Sequence, residues 1–419
     1  MTSPVWHPFT QHGLNEPIPR VARAEGAALF TEDGRRVIDA ISSWWVTTHG
    51  HGHPRIMAAI AEQAGRLDQI IFAGWTHEPA EALAQSLVDL MPAPLAHVFF
   101  SDSGSTSVEV ALKMALGFWA NTGQPRDRIV VMADSYHGDT IGGMSVGARG
   151  VFNRPYVPLL FDVDTLPFPE PGAEQATLDA LTRLARSPTP PAAFIVEPLV
   201  LGAGGMKFYP AWVLAEMRAI CARADILFIA DEVMTGWGRT GTLLACEQAG
   251  IVPDILCLSK GLTGGAMPLA VTMATPEIFE AHHSTDRARM FFHSSSYTAN
   301  PIACAAANAN LEIWRDEPVQ ARIDTLAQSQ ARHLDVLRHR PAITGIRQLG
   351  TIAALDFAGE GMGYLSDLAP RLLAFFGARD VLLRPLGDTV YVMPPYCITA
   401  DDLAAVYAAI DEAVTAFAA

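Results

Sequence analysis

The chain has 419 residues, half of them hydrophobic, enough for two or three units that each bury a core. Lys and Arg total 29 against 44 Asp and Glu, a formal net charge of −15. That balance repels nucleic acid and anionic membrane and excludes both as main partners.

The start, Met1-Thr2-Ser3-Pro4, lacks the basic and apolar regions of a signal peptide, and no apolar run approaches the ~20 residues of a membrane span. Five cysteines, at 221, 246, 257, 304 and 397, form no CxxC pair. The expectation is free thiols in a reducing cytoplasm. Lysine occurs only at 113, 207 and 260, so lysine chemistry has three candidates.

Residues 25–40 predict a hairpin turning at Asp33-Gly34. From about 55 to 310, short apolar runs alternate with helical patterns. The runs are 97–100, 129–132, 193–196, 226–230, 254–258 and 269–273. They are apolar throughout, as in strands covered on both faces. Helical segments at 108–120, 176–186 and 211–224 separate them, which predicts βαβ units and a mostly parallel sheet. The proline-rich stretches 166–172 and 187–191 predict surface loops. After about 315 come a polar helix at 319–338, strands near 344–357, 381–384 and 389–393, and a last helix at 400–418. The expected division is an N-terminal segment, 1–54, joining a small α+β domain at 315–419, with a large α/β domain at 55–314.

Lys260 follows the run 254–258 and opens a glycine-rich loop. Ligands of α/β sheets bind at such strand ends, where burial can free a neutral amine. A lone lysine there more often only snorkels to solvent. Lys113 sits mid-helix, and Lys207 follows no buried strand. Asp231 ends the run 226–230 and would face the same crevice. An anionic aspartate there can hold the protonated nitrogen of a ring cofactor, although alone it suits a helix cap equally well. Ser101-Asp102-Ser103-Gly104-Ser105-Thr106 joins a strand to a helix, a sound phosphate cup or an ordinary cap. Tyr136, after the run 129–132, could stack on a planar ring or be a loop tyrosine.

Three features are set aside. His49, His51 and His53 alternate with glycines but have no cysteine or acidic partner at ligand spacing, so no metal is expected. Ser42, Ser43 and His49 lack a G-x-S-x-G elbow. Gly202-Ala203-Gly204-Gly205 is an incomplete dinucleotide fingerprint, which argues against a dehydrogenase.

Residues 227–241, with Asp231 and Arg239, followed by 254–261, with Lys260, resemble the signature of the class III aminotransferases of fold type I. The likeness covers nearly the whole chain. It implies an α/β fold, pyridoxal 5′-phosphate (PLP) as cofactor, and Lys260 as its Schiff-base lysine. Asp231 would pair with the pyridine nitrogen, Gly104 and Ser105 would hold the phosphate, and Tyr136 and Val233 would sandwich the ring. Ser295 and Ser296 of the partner subunit would reach the phosphate, which implies a homodimer. Trp6-His7-Pro8-Phe9-Thr10, Ser42-Ser43-Trp44-Trp45, 202–206, 384–387 and 391–395 resemble the members that pass the amino group of S-adenosylmethionine to 8-amino-7-oxononanoate in biotin synthesis. In those members Trp44, Trp45, Tyr136, Asp139, Arg239, Ser294, Arg384 and Tyr391 would line the substrate site, with Arg384 on the substrate carboxylate. Two departures stand out: Phe9 replaces a common tyrosine, and Ser294-Ser295-Ser296 replaces Gly-Pro-Thr. The alternatives are a class III aminotransferase with lysine or an ω-amino acid as donor, and a PLP mutase or decarboxylase on the same fold.

Overall fold

A computed structural model describes residues 3–358 and 367–417. Its centre is a seven-stranded sheet: β1 His97–Ser101, β2 Ile129–Met132, β3 Asp164–Leu166, β4 Ala193–Val196, β5 Leu227–Asp231, β6 Ile255–Leu258 and β7 Ala270–Ala274. The spatial order is β1-β7-β6-β5-β4-β2-β3. All neighbours are parallel except β7, which runs antiparallel to both β1 and β6. Strands β2, β4, β6 and β7 are buried at every position. Side chains such as Phe194, Phe228, Ile229 and Leu256 are fully enclosed, so helices must cover both faces.

Two features depart from the sequence expectations. Asp164–Leu166 is an edge strand pairing with Val130–Met132, although the proline-rich stretch from 166 predicts a loop. Three residues suffice because only one side needs a partner. The N-terminal hairpin also extends further: Val21–Glu25 pairs with Ala28–Thr31, which pairs with Arg36–Asp39. Arg36–Asp39 then pairs in parallel with Val381–Leu382, so the chain's two ends share one sheet. A third sheet carries Ile343–Leu349, Ile352–Phe357 and Thr389–Val392.

Strands β2, β4, β5 and β6 run the same way, so their carboxyl ends open along one edge of the sheet. The helix α1, Gly104–Asn121, starts at that edge after β1. Among the described residues no helix is long and apolar enough to cross a membrane.

Candidate active site

Lys260 begins a short 3-10 turn, Lys260–Thr263, two residues beyond β6. Its φ of +47° is unusual for a side-chain-bearing residue. The turn is held from behind: Asn310 Nδ2 donates to Gly261 O and to Leu262 O, each at 3.0 Å. The Lys260 side chain is half-buried, with Nζ 4.7 Å from the centroid of the Trp45 ring. Burial lowers its ammonium from 10.5 to about 8, and Arg239 pushes the same way. Asp231 and Glu197 oppose the shift. A lysine in this state offers a neutral amine near physiological pH.

Asp231 closes β5 and pairs in register with Cys257 of β6, three residues before Lys260. It is buried, and its two oxygens are fixed separately. Oδ2 lies 2.7 Å from His137 Nδ1, and Oδ1 accepts from Val233 N–H at 3.1 Å. The residue after it, Glu232, is fully buried and accepts from Thr235 Oγ1, Ala245 N–H and Cys246 N–H. That carboxylate ties down the 233–246 loop that carries Val233 and Arg239.

Ser103 caps α1 in a reciprocal box with Thr106. Gly104 and Ser105 therefore present the first N–H groups of an 18-residue helix. A Cβ at Gly104 would come within 2.6 Å of Val233 Cγ1, so glycine is needed for this approach. Ser105 Oγ accepts from Asp139 N–H at 3.3 Å. Tyr136 is partly exposed, and burial together with the Asp139 carboxylate pushes its phenol above its usual range. Gly104, Ser105, Tyr136, Asp139, Val233, Asp231 and Lys260 thus all lie at one sheet edge.

Trp44 and Trp45 sit in a tight segment with positive φ at Ser42, Ser43 and Trp45. Surrounding contacts hold it in this conformation. Ser42 Oγ donates to Met393 O at 2.8 Å, Ser43 N–H to Asp39 Oδ1 at 2.9 Å, and Arg239 Nη2 to Trp45 O and Thr47 O at 3.3 and 3.0 Å. Arg239 is itself buried and spends its guanidinium on these carbonyls and on Pro394 O. Tyr391 is buried edge-on to Trp45, with centroids 5.9 Å apart. Arg384 lies 5.0 Å over the Trp44 ring and reaches Phe9 O at 3.5 Å, while the Phe9 ring meets Trp44 edge-on. Among the described residues no carboxylate pairs with Arg384.

Ser294, Ser295 and Ser296 stand apart. Their hydrogen bonds run to one another, to Thr298 and, at Ser296 O, from Gln69. No hydrogen bond among the described residues joins them to Gly104 or Ser105. Of the three histidines set aside above, His49 and His53 meet edge-on with ring centroids 6.1 Å apart, while His51 bonds elsewhere. His49 is buried near Trp314, and burial takes its imidazole down to about 4. His51 contacts Asp39 at 2.8 Å, and His53 contacts Glu317 at 3.4 Å.

Residues 10–414 match the family described as aminotransferase class-III. The chain belongs to the class-III aminotransferases. A curated relative in Synechococcus elongatus, named adenosylmethionine-8-amino-7-oxononanoate aminotransferase, is 48% identical over 414 residues, 97% of each chain. One of the same name in Mycobacterium leprae is 38% identical over 97% of this chain and 94% of its own. The crystal structure of the enzyme of that name from Methanocaldococcus jannaschii superposes with a TM-score of 0.93 at 31% identity, covering 98% of this chain and 97% of that one. A PLP-bound amine transaminase from an uncultivated Pseudomonas species gives 0.92 at 30% identity over 99% of both.

The cofactor of this class-III aminotransferase is PLP. The residues fit it: a neutralisable lysine, a fixed carboxylate, and helix N–H groups made accessible at a glycine that tolerates no Cβ. Sequence reasoning passes over one residue of the edge. Glu197, just after β4, is 4% exposed and accepts from Tyr136 N–H at 2.9 Å and Gly202 N–H at 3.0 Å. Burial raises its carboxyl to about 7. The signal that finds Asp231, an acid ending a buried apolar run, was present for Glu197 as well. A cavity of about 790 Å³ shares Tyr136, Gly138 and Asp139 with this centre but touches neither Lys260 nor Asp231.

Proposed function

We propose that this aminotransferase moves the amino group of S-adenosylmethionine to 8-amino-7-oxononanoate, giving 7,8-diaminononanoate for biotin synthesis. The observation that carries the reading is the Lys260–Asp231 pair on adjacent parallel strand ends, beside a tryptophan pair and a cation, Arg384, that no carboxylate among the described residues claims. The full-length relatives that bear this activity's name support the choice of substrates.

When bound, PLP supplies a carbon that takes up an amino group and a ring that accepts the electrons released as the α-proton leaves. The chain's own groups do the rest. Lys260 Nζ would hold the cofactor and, as a neutral amine, move the proton at the substrate's α-carbon. Asp231, oriented by His137 and Val233 N–H, offers a fixed acceptor to the ring nitrogen's proton. The Gly104 and Ser105 N–H groups would hold the phosphate, and Tyr136 and Val233 would sandwich the ring. Trp44, Trp45 and Tyr391 line the passage for an aliphatic chain, and Arg384 takes its far carboxylate. Asp139 and Arg239 shape the wall, Arg239 by fixing the backbone of Trp45. Two substrates use one site in turn, so the kinetics are ping-pong.

Two copies are needed in this reading. Ser294 completes the substrate site, and Ser295 and Ser296 complete the phosphate site, of the opposite copy. The exposed Ile71, Trp75, Phe292 and Tyr297 near this segment support a homodimer. The pairing of Arg36–Asp39 with Val381–Leu382 supports a small domain built from 1–54 and 315–419, beside a large domain at 55–314. Five free cysteines, four of them buried, suit the cytoplasm.

The test is the visible spectrum of the PLP-loaded protein. S-adenosylmethionine should abolish the cofactor's absorption band, and 8-amino-7-oxononanoate should restore it. A band that ignores S-adenosylmethionine but responds to lysine or another amine would move the donor and keep Lys260.

A further inference from the structure

Glu197 joins two segments of the site and has no part in the reaction scheme. Its carboxylate is buried at the carboxyl end of β4, and its two oxygens serve different segments. One accepts from Tyr136 N–H, beyond β2. The other accepts from Gly202 N–H, at the start of a loop running to Met206. Tyr136 and the loop residues Ala203, Gly204 and Gly205 are walls of the same 790 Å³ cavity. One side chain therefore sets the span between two walls. The loop's far end is pinned independently: Arg347 donates to Gly205 O at 2.7 Å and to Met206 O, and Asp356 holds its guanidinium.

The cavity's chemistry differs from that of the Trp44–Arg384 passage. Phe152, Phe168 and Phe208 give it aromatic surface, while Asp139 and Asp388 add carboxylates. Among the described residues no salt bridge engages either acid. Aromatic faces suit a purine, and the two carboxylates, of which Asp139 accepts from the Tyr136 phenol, suit a sulfonium cation. The keto acid has neither group.

We infer that Glu197 is a positioning residue for the amino donor, holding Tyr136 and the 202–206 loop so that the cavity accepts the sulfonium–nucleoside half of the molecule. This rests on the reading of S-adenosylmethionine as donor. The groups facing Glu197 are His137, Asp231 and Lys260, with the phenols of Tyr136 and Tyr209. Burial is the main cause that raises its carboxyl to about 7, Asp231 adds to it, and His137 opposes it. Above that pH both oxygens accept. Below it a proton occupies one oxygen and opposes an N–H. The clamp therefore weakens as pH falls through 7.

The test measures the two half-reactions of the holoenzyme separately, by stopped-flow absorbance. Glu197→Gln retains one acceptor and turns an NH₂ against the other N–H. It should lower kcat/KM for S-adenosylmethionine by about 10- to 100-fold, while the 8-amino-7-oxononanoate half-reaction changes by less than about threefold. The acidic limb near pH 7 in the donor half-reaction should vanish. Arg347→Gln, which frees the loop's other end, should give the same selective loss with that limb retained, and it decides the matter should Glu197→Gln not fold. Binding of 5′-methylthioadenosine, followed by calorimetry, should weaken at least about tenfold in both variants. Equal losses in both half-reactions, or unchanged nucleoside binding, overturn the inference. A wild-type holoenzyme that does not react with S-adenosylmethionine overturns the donor reading instead.

Discussion

Trp45→Ala should raise the Lys260 ammonium from about 8 back toward its ordinary 10.5. Two effects of the indole oppose each other. Its π face, 4.7 Å from Nζ, favours the charged form, by about 0.5–2 kcal/mol for such contacts. Its bulk, itself 5% exposed, helps exclude water and favours the neutral form. The net fall from 10.5 to about 8, caused first by burial, corresponds to roughly 3 kcal/mol against the charged form, so exclusion of water outweighs the π contact. At pH 7.5 such an amine is roughly one-quarter neutral, against about 0.1% for an ordinary lysine. Opening the wall should cut the neutral fraction about 10- to 100-fold. The assay strips the cofactor, adds PLP across a pH series, traps the adduct with borohydride, and locates it by mass spectrometry. The midpoint at Lys260 should stand near 8 in the native chain and in Trp45→Phe, and well above it in Trp45→Ala. Loss of the buried ring also costs about 3–5 kcal/mol of stability, so melting curves set the working temperature. A midpoint in Trp45→Ala that stays at 8 or falls would refute the reasoning, because the π contact would then dominate.

Arg384→Met should weaken 8-amino-7-oxononanoate by about 10- to 150-fold, the loss of one charge-assisted carboxylate contact. Titration in the keto-acid half-reaction checks it, and unchanged affinity would remove Arg384 from the substrate site. Glu232→Ala leaves Ala245 N–H, Cys246 N–H and Thr235 Oγ1 without their shared acceptor. It should destabilise by about 2–4 kcal/mol, read as a lower midpoint in denaturant, and a shift of a few tenths would mean that water takes over the three donors.

The continuous apolar runs made the large sheet legible, because a strand covered on both faces has nowhere to put a polar residue. The same property hid the direction of β7: Ala270–Ala274 is buried throughout like the parallel strands of the sheet, and pairing direction leaves no mark on such a run. Strand β3 was hidden for the opposite reason. Asp164–Leu166 is three residues long and is followed at once by Pro167, so turn chemistry outweighs periodicity. At the site, Lys260 and Asp231 were legible as polar residues ending apolar runs. Glu197 satisfies the same rule but is followed by Pro198 and a loop, with no cofactor motif to draw attention to it. Arg239 shows what spacing cannot give: its charge is turned inward onto the carbonyls of Trp45, Thr47 and Pro394. Among the described residues the Ser294–Ser296 segment bonds only to itself, to Thr298 and to Gln69, and none of these contacts reveals a role.

The edge also shows how one physical cause prepares two opposite groups for the same pH. Burial disfavours charge on whatever it encloses, so it drives Lys260 down to about 8 and Glu197 up to about 7. Both values then fall near neutrality, which suits proton transfer at Lys260 and makes the Glu197 clamp sensitive to pH. Asp231 lies between them under similar burial but has been given partners that Glu197 lacks, the His137 imidazole and the Val233 N–H. Glu197 receives only two neutral N–H groups, one from Tyr136 and one from Gly202 at the start of the 202–206 loop. The division follows from the bonding. In the proposed roles, the carboxylate bonded to a histidine serves the permanent occupant of the site, and the one bonded to loop backbone answers to the molecule that comes and goes.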